Sequence, residues 1–139
     1  MTVVLDASVA VCWVVPQAQS DEALALRTRF LVDVWAVPSA WPLEVTYTIQ
    51  KLRRRRQVTP SAARRAALEL ATLNVRVARE HTGEAVLSIY DAAERFGVST
   101  YDATYLMLAA ELRAPLLTVD ERLAVAARAA GVDVPSGGA

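Results

Sequence analysis

Two stretches decide the fold: residues 2–13, TVVLDASVAVCW, and residues 115–132, PLLTVDERLAVAARAAGV. Each opens on a short apolar run, reaches an aspartate (Asp6, Asp120) and passes at once into a helical pattern. TVVL and PLLTV are apolar at nearly every position, not at alternate ones, which is the pattern of strands buried on both faces. A strand that leads straight into a helix, with no hairpin turn between, belongs to a parallel sheet.

Working outward, residues 7–15 read as a helix up to Pro16, and residues 21–32 as a second, with Asp21 and Glu22 in its first turn and arginines later. Residues 33–37 form a second strand candidate ending at Pro38. In the long helix expected over residues 39–56, Trp41, Val45, Ile49 and Leu52 keep one buried face. Thr59-Pro60 opens another helix, the threonine as cap and the proline at the tolerated first position. Residues 75–77 suggest a short third strand, and residues 82–95 a helix stopped by Gly97. Ser99 starts a helix to about residue 113, residues 115–119 form a fourth strand, and residues 120–130 a last helix before Gly131. Residues 132–134 could add an edge strand. The alternation predicts an α/β fold with a short central parallel sheet and helices on both faces. Residues 1–135 are expected to form one domain and residues 136–139 a loose tail.

The chain has 139 residues, 54% of them apolar and 22% charged, which suits a packed domain and not a disordered one. No apolar run approaches the ~20 residues of a membrane span, and MTVVLD lacks the charged start of a secretory signal, so a cytoplasmic protein that does not engage membranes is expected. Cys12 is the only cysteine and His81 the only histidine. Thiolate metal sites and hydroxyl or thiol nucleophiles paired with histidine are therefore disfavoured. Fifteen basic residues balance 15 acidic ones, so any attraction to nucleic acid is local. Lys51 is the only lysine, and the five glycines form no phosphate-cradling loop.

Four carboxylates fall at telling places. Asp6 and Asp120 follow buried strands, where the crevice of an open parallel sheet lies. Asp102 is in line with Tyr105, Leu106, Ala109 and Ala110 on its helix's apolar stripe, and Glu44 flanks the stripe of the long helix with Thr48 one turn on. Each acid singly could be a cap or a complement to a helix dipole; Ser99 with Asp102 resembles a capping box. Together, four converging carboxylates need a cation, and oxygen-only ligation suits Mg²⁺ or Mn²⁺. Such a site can hydrolyse a phosphodiester without a protein nucleophile.

The segments VVLDASVAVCW, WPLEVTYTI, STYDATYLMLAAEL and LLTVDERLAVAARAAGV occur in the order and at about the distances of the four acidic motifs of PIN-domain ribonucleases, and most closely resemble the VapC toxins of toxin–antitoxin pairs. The resemblance spans nearly the whole chain. It implies a PIN-like three-layer fold and a catalytic, metal-holding set of Asp6, Glu44, Asp102 and Asp120. It also implies supporting hydroxyls at Ser8 and Thr118, and metal-dependent endonucleolytic cleavage of RNA to a 5′-phosphate and a 3′-hydroxyl. A homodimer and inhibition by a cognate antitoxin belong to the same implication.

The run KLRRRR, residues 51–56, closes the helix that carries Glu44. Arg53, Arg54, Arg55 and Arg56 could neutralise RNA phosphates, bind an acidic stretch of antitoxin, or merely complement the helix dipole in solvent. Trp13, Trp35 and Trp41 are expected in the core or a dimer interface; Tyr101 and Tyr105 flank Asp102 and could line the crevice, with packing the expectation. Asp91 and Glu94 are expected to face solvent. Two other classes compete: a catalytically idle PIN-like module that binds an antitoxin or regulatory partner, and a phosphatase with Asp6 as nucleophile. The latter is disfavoured because Ser8 stands where a second aspartate commonly works.

Overall fold

The computed structural model describes residues 1–138. Its strands are β1 (Thr2–Leu5), β2 (Val34–Val37), β3 (Val75–Val77) and β4 (Leu116–Leu117). Its helices are α1 (Ala7–Val14), α2 (Ser20–Arg29), α3 (Trp41–Arg54), α4 (Pro60–Ala71), α5 (Ala85–Phe96), α6 (Thr100–Leu112) and α7 (Glu121–Ala129). The strands form one parallel sheet in the order β3-β2-β1-β4. Val3, Val4 and Leu5 are fully buried because helices cover both faces of β1. On one side α1, α3 and α4 pack on one another with α2 against α1, while α5 and α6 pack together and α6 lies on β1 and β4. No helix among the described residues is long and apolar enough to cross a membrane.

The helix starts follow local chemistry. Thr59 accepts the Ala62 N–H at 3.1 Å and Ser99 the Asp102 N–H at 3.0 Å, while Gly97 ends α5 in a left-handed conformation (φ 64°). The trytophan expectation holds for the core: Trp35 and Trp41 are buried, and the Trp13 and Trp35 rings meet at 5.1 Å.

Four expected elements differ, the first being α5, which starts at Ala85 and not at residue 82. The fourth strand keeps only Leu116–Leu117, since beyond it Thr118 and Asp120 turn their polar groups to the sheet edge and the α7 cap. Residues 132–134 form no strand and give β4 a single bond, Leu116 N–H to the Asp133 carbonyl at 2.9 Å. α2 stops at Arg29, its last turn followed by a tight turn into β2. At the carboxyl end, Gly137 N–H donates to Glu22 and Arg29 to the Ser136 carbonyl, both at 2.6 Å, so residues 136–137 lie against α2; Ala139 falls outside the described residues.

The strand order has one consequence for function. From β1 the chain winds outward to β2 and β3, then returns to lay β4 on the other flank of β1. The switch point of the sheet is thus the β1–β4 pair, and a crevice opens beyond their carboxyl ends.

Candidate functional site

Asp6 leaves β1 at this switch point with extended backbone (φ −70°, ψ 144°), its N–H donating to the Leu117 carbonyl at 3.0 Å. Only 5% of the residue is exposed, and its carboxylate does not cap α1. Instead Oδ2 accepts two hydroxyls, Ser8 Oγ at 2.5 Å and Thr118 Oγ1 at 2.7 Å. The same hydroxyl oxygens accept backbone N–H groups of the loop after β4, Ser8 from Val119 at 3.3 Å and Thr118 from Asp120 at 3.0 Å. Two short side chains thereby tie together the loops that bear Asp6 and Asp120.

Asp120 caps α7, with Oδ1 accepting from Arg122 N–H at 3.0 Å and Leu123 N–H at 3.3 Å. Both bonds use one oxygen, so Oδ2 takes no part in the cap. Asp102 stands in the first turn of α6, on the stripe of buried Tyr105, Leu106 and Ala109, although Ala110 is exposed. Glu44 sits in the first turn of α3, flanking buried Trp41, Val45 and Ile49. A cleft of about 470 Å³ is lined by all four acids, Ser8 and Thr48. Asp91 and Glu94 stay exposed on α5, as expected.

Burial dominates the electrostatics. It pushes the Asp6 carboxyl up to about 6; the Ser8 and Thr118 hydroxyls pull it back, and the charges of Asp102 and Asp120 raise it further. Glu44 is pushed to about 7, first by burial, then by Asp6, against a lowering hydrogen bond from Tyr105. Asp102 is raised by burial and by Asp120. Glu44 Oε1 is shielded from solvent with no hydrogen-bond donor, which is costly for a carboxylate oxygen. Among the described residues the ion pairs are Met1 with Asp33 and Arg128 with Glu121, and neither involves the four acids. Four carboxylates share a crevice without a cationic side chain paired to any of them.

The donor set fits a hard divalent ion. It is all oxygen, and one of those oxygens is shielded and without a donor. The acids ring the cleft without closing into a ready-made cage; among the described residues no three potential ligands are gathered that tightly. That openness suits an ion that keeps several waters and takes few carboxylates.

Tyr105 carries more than the packing expected of it. It is fully buried, and its hydroxyl accepts the Ala7 N–H at 3.3 Å while lying close enough to Glu44 for each to shift the other's pKa. Burial and the charges of Asp6 and Glu44 raise its pKa, so the phenol keeps its proton. Its position three residues after Asp102, one turn on, was the only signal in the sequence. Tyr101, expected to pack, is 55% exposed, whereas the arginine run lies beyond the cleft at the exposed end of α3.

Among curated proteins none matches the chain. Solved structures share its fold, three of them as follows. PAE2754 from Pyrobaculum aerophilum is 21% identical over 96% of this chain and 92% of that one, with a TM-score of 0.67. VapBC2 from Rickettsia felis, bound to a DNA fragment from its promoter, is 13% identical over 97% and 98%, with a TM-score of 0.63. VapC20 from Mycobacterium tuberculosis, a sarcin–ricin loop cleaving toxin, is 19% identical over 89% and 94%, with a TM-score of 0.64. The PIN domain family model matches residues 3–129, from the first strand to the last helix and across all four acids gathered at the switch point; the chain belongs to the PIN domain family.

Proposed function

We propose that the chain is a divalent-metal-dependent endoribonuclease, the toxin of a VapBC-type pair, held in check by a cognate antitoxin. The observation that carries this reading is the convergence of Asp6, Glu44, Asp102 and Asp120, from four separate segments, on one cleft with no paired cation. Likeness in fold to VapC20 and to VapBC2 supports the toxin and antitoxin parts. Asp6, Glu44, Asp102 and Asp120 would hold Mg²⁺ or Mn²⁺. When bound, such an ion lowers the pKa of water and neutralises charge developing on a phosphodiester. The chain's own residues orient the ligands: Ser8 and Thr118 fix the Asp6 carboxylate and the α7 cap fixes Asp120. Hydrolysis leaves a 5′-phosphate and a 3′-hydroxyl. A homodimer in the cytoplasm completes the reading, with Val86, Leu87 and Tyr90 exposed on α5 as an apolar ridge.

The test is purified protein, freed of any partner, with Mn²⁺ and a panel of structured RNAs. Cleavage should require Mg²⁺ or Mn²⁺, stop in EDTA and proceed below full rate in Zn²⁺. Robust cleavage in chelator overturns the metal; no cleavage of any RNA by protein that still binds its antitoxin favours the idle module.

A further inference from the structure

A second groove, of about 620 Å³, adjoins the acid cleft and shares Glu44, Thr48 and Asp102 with it. Its added walls are Leu43, Tyr47, Ser99 and Tyr101. We propose that Tyr47 of α3 and Tyr101 of α6 form a stacking subsite for an unpaired nucleobase beside the bond being cut. The proposal rests on the ribonuclease reading and deepens it, by making an unpaired base part of what the site selects.

Exposure and place together set these two rings apart, since Tyr90, 56% exposed, lies on α5 and does not line the groove. Tyr47 is 61% and Tyr101 55% exposed, while Trp35, Trp41 and Tyr105 are buried in the core. They are not core residues that happen to be aromatic. Each ring lines the groove from the helix of a candidate ligand: Tyr101 directly precedes Asp102, and Tyr47 lies one turn after Glu44. A base held against either ring therefore brings its own phosphodiester to the edge of the acid cleft. The Lys51 ammonium lies over one face of the Tyr47 ring, 5.5 Å from its centroid, so a base stacks on the opposite face or displaces it, with a cation at hand for a flanking phosphate.

Aromatic rings stack on every base, so the subsite tests for a free base face and not for sequence. Bases within a duplex have no free face, and loops, bulges or single strands do. A second copy of the chain or an apolar peptide would also cover Tyr47 and Tyr101, but would bury Glu44 and Asp102 with no compensating charge, at a high desolvation cost. RNA arriving with the divalent ion brings that compensation.

The experiment uses short single-stranded RNA carrying 2-aminopurine at successive positions, in Mn²⁺, with an Asp6→Asn background to prevent turnover; cleavage is then measured in the native background. Tyr47→Ala and Tyr101→Ala should each weaken binding about 5- to 150-fold and abolish the fluorescence quench at one position. Tyr47→Phe and Tyr101→Phe should keep both, because stacking needs the ring and not the hydroxyl. In cleavage the alanine losses should fall mainly on KM, and a duplex of the same sequence should be indifferent to them. Alanine variants that bind and cut looped RNA as the parent does overturn the subsite and leave the ribonuclease reading standing. Alanine variants with unchanged RNA binding that turn a dimer into a monomer overturn it too, and give the rings to an interface between copies. A parent that neither binds nor cuts any RNA overturns the ribonuclease reading and the subsite with it.

Discussion

The two ends of α3 carry opposite charge in opposite surroundings. At its start Glu44 is drawn into the cleft, one oxygen shielded and without a donor, its carboxyl raised to about 7 by burial and by Asp6. At its end Arg53, Arg54, Arg55 and Arg56 are all exposed. An exposed arginine costs little and complements the helix dipole, so its presence needs no further role. A half-buried carboxylate beside other carboxylates is costly, and it persists only where the surrounding fold holds it. The acid end is therefore strong evidence for function, and the basic end is weak evidence until it is tested.

The largest expected effect breaks the acid end. Asp102→Asn keeps the size of the side chain and removes a charge from the cleft. Cleavage of a looped RNA in Mn²⁺ should fall well beyond the roughly 10- to 100-fold that loss of an outer-shell partner costs. A variant within tenfold of the parent would show that Asp102 serves α6 alone.

Next in size is the support beneath the acids. Thr118→Val removes the hydroxyl that donates to Asp6 at 2.7 Å and accepts the Asp120 N–H at 3.0 Å. A loss of about 10- to 100-fold in rate or Mn²⁺ affinity is expected, with the circular dichroism of the fold retained. Activity equal to the parent's would mean that Ser8 alone orients Asp6.

A smaller effect, read in stability, separates ligands from caps. Asn caps a helix nearly as well as Asp, so Asp120→Asn keeps the α7 cap, Asp102→Asn leaves the Ser99 cap of α6 untouched, and both relieve repulsion in the metal-free protein. Each should stabilise that form by about 1 kcal/mol at an effective dielectric near 20, a rise of a few degrees in Tm. Both should blunt the stabilisation that Mn²⁺ gives the parent. The acidity of the site adds a sign. Between pH about 4 and about 7 the folded chain holds more protons on Asp6 and Glu44 than the unfolded chain does, because both carboxyls are raised. Stability of the metal-free parent should therefore fall as pH rises through that window, and excess Mn²⁺ should offset the fall. Melts in EDTA that are flat across the window, with variants no more stable than the parent, would return these acids to capping.

How much of this was legible depends on what each residue touches. β1 is readable because Val3, Val4 and Leu5 are all buried, and α4 and α6 because Thr59 and Ser99 announce their starts. β4 was overread: apolar Val119 looked like strand, but Thr118 turns its hydroxyl to Asp6 and ends the ladder. The acids were legible from their places after strands and on helix stripes. The role of Tyr105 was not, since only the packing of α6 on β1 brings its hydroxyl to the Ala7 N–H at the start of α1. Nor was the exposure of Tyr101, which shares a helix with buried neighbours and is distinguished from them by phase alone.

Phase also sharpens the basic end, with the smallest effect expected. From Glu44, positions four, seven and eleven residues on share one face of a helix, which selects Thr48, Lys51 and Arg55. Arg53, nine residues on, falls half a turn away, on the opposite face. An RNA strand leaving the cleft along α3 would meet Lys51 and Arg55 and miss Arg53. Arg55→Gln should then flatten the dependence of log K on log salt by about 0.7, the value for one phosphate contact on a single strand, while Arg53→Gln leaves the slope unchanged. Replacing all four arginines should add little beyond Arg55→Gln unless Arg54 and Arg56, at the corner with α4, also reach the strand. Equal small losses from every arginine would indicate a diffuse field and no track. No loss from any would leave the run to the antitoxin or to solvent, and the asymmetry between the two ends of α3 would be complete.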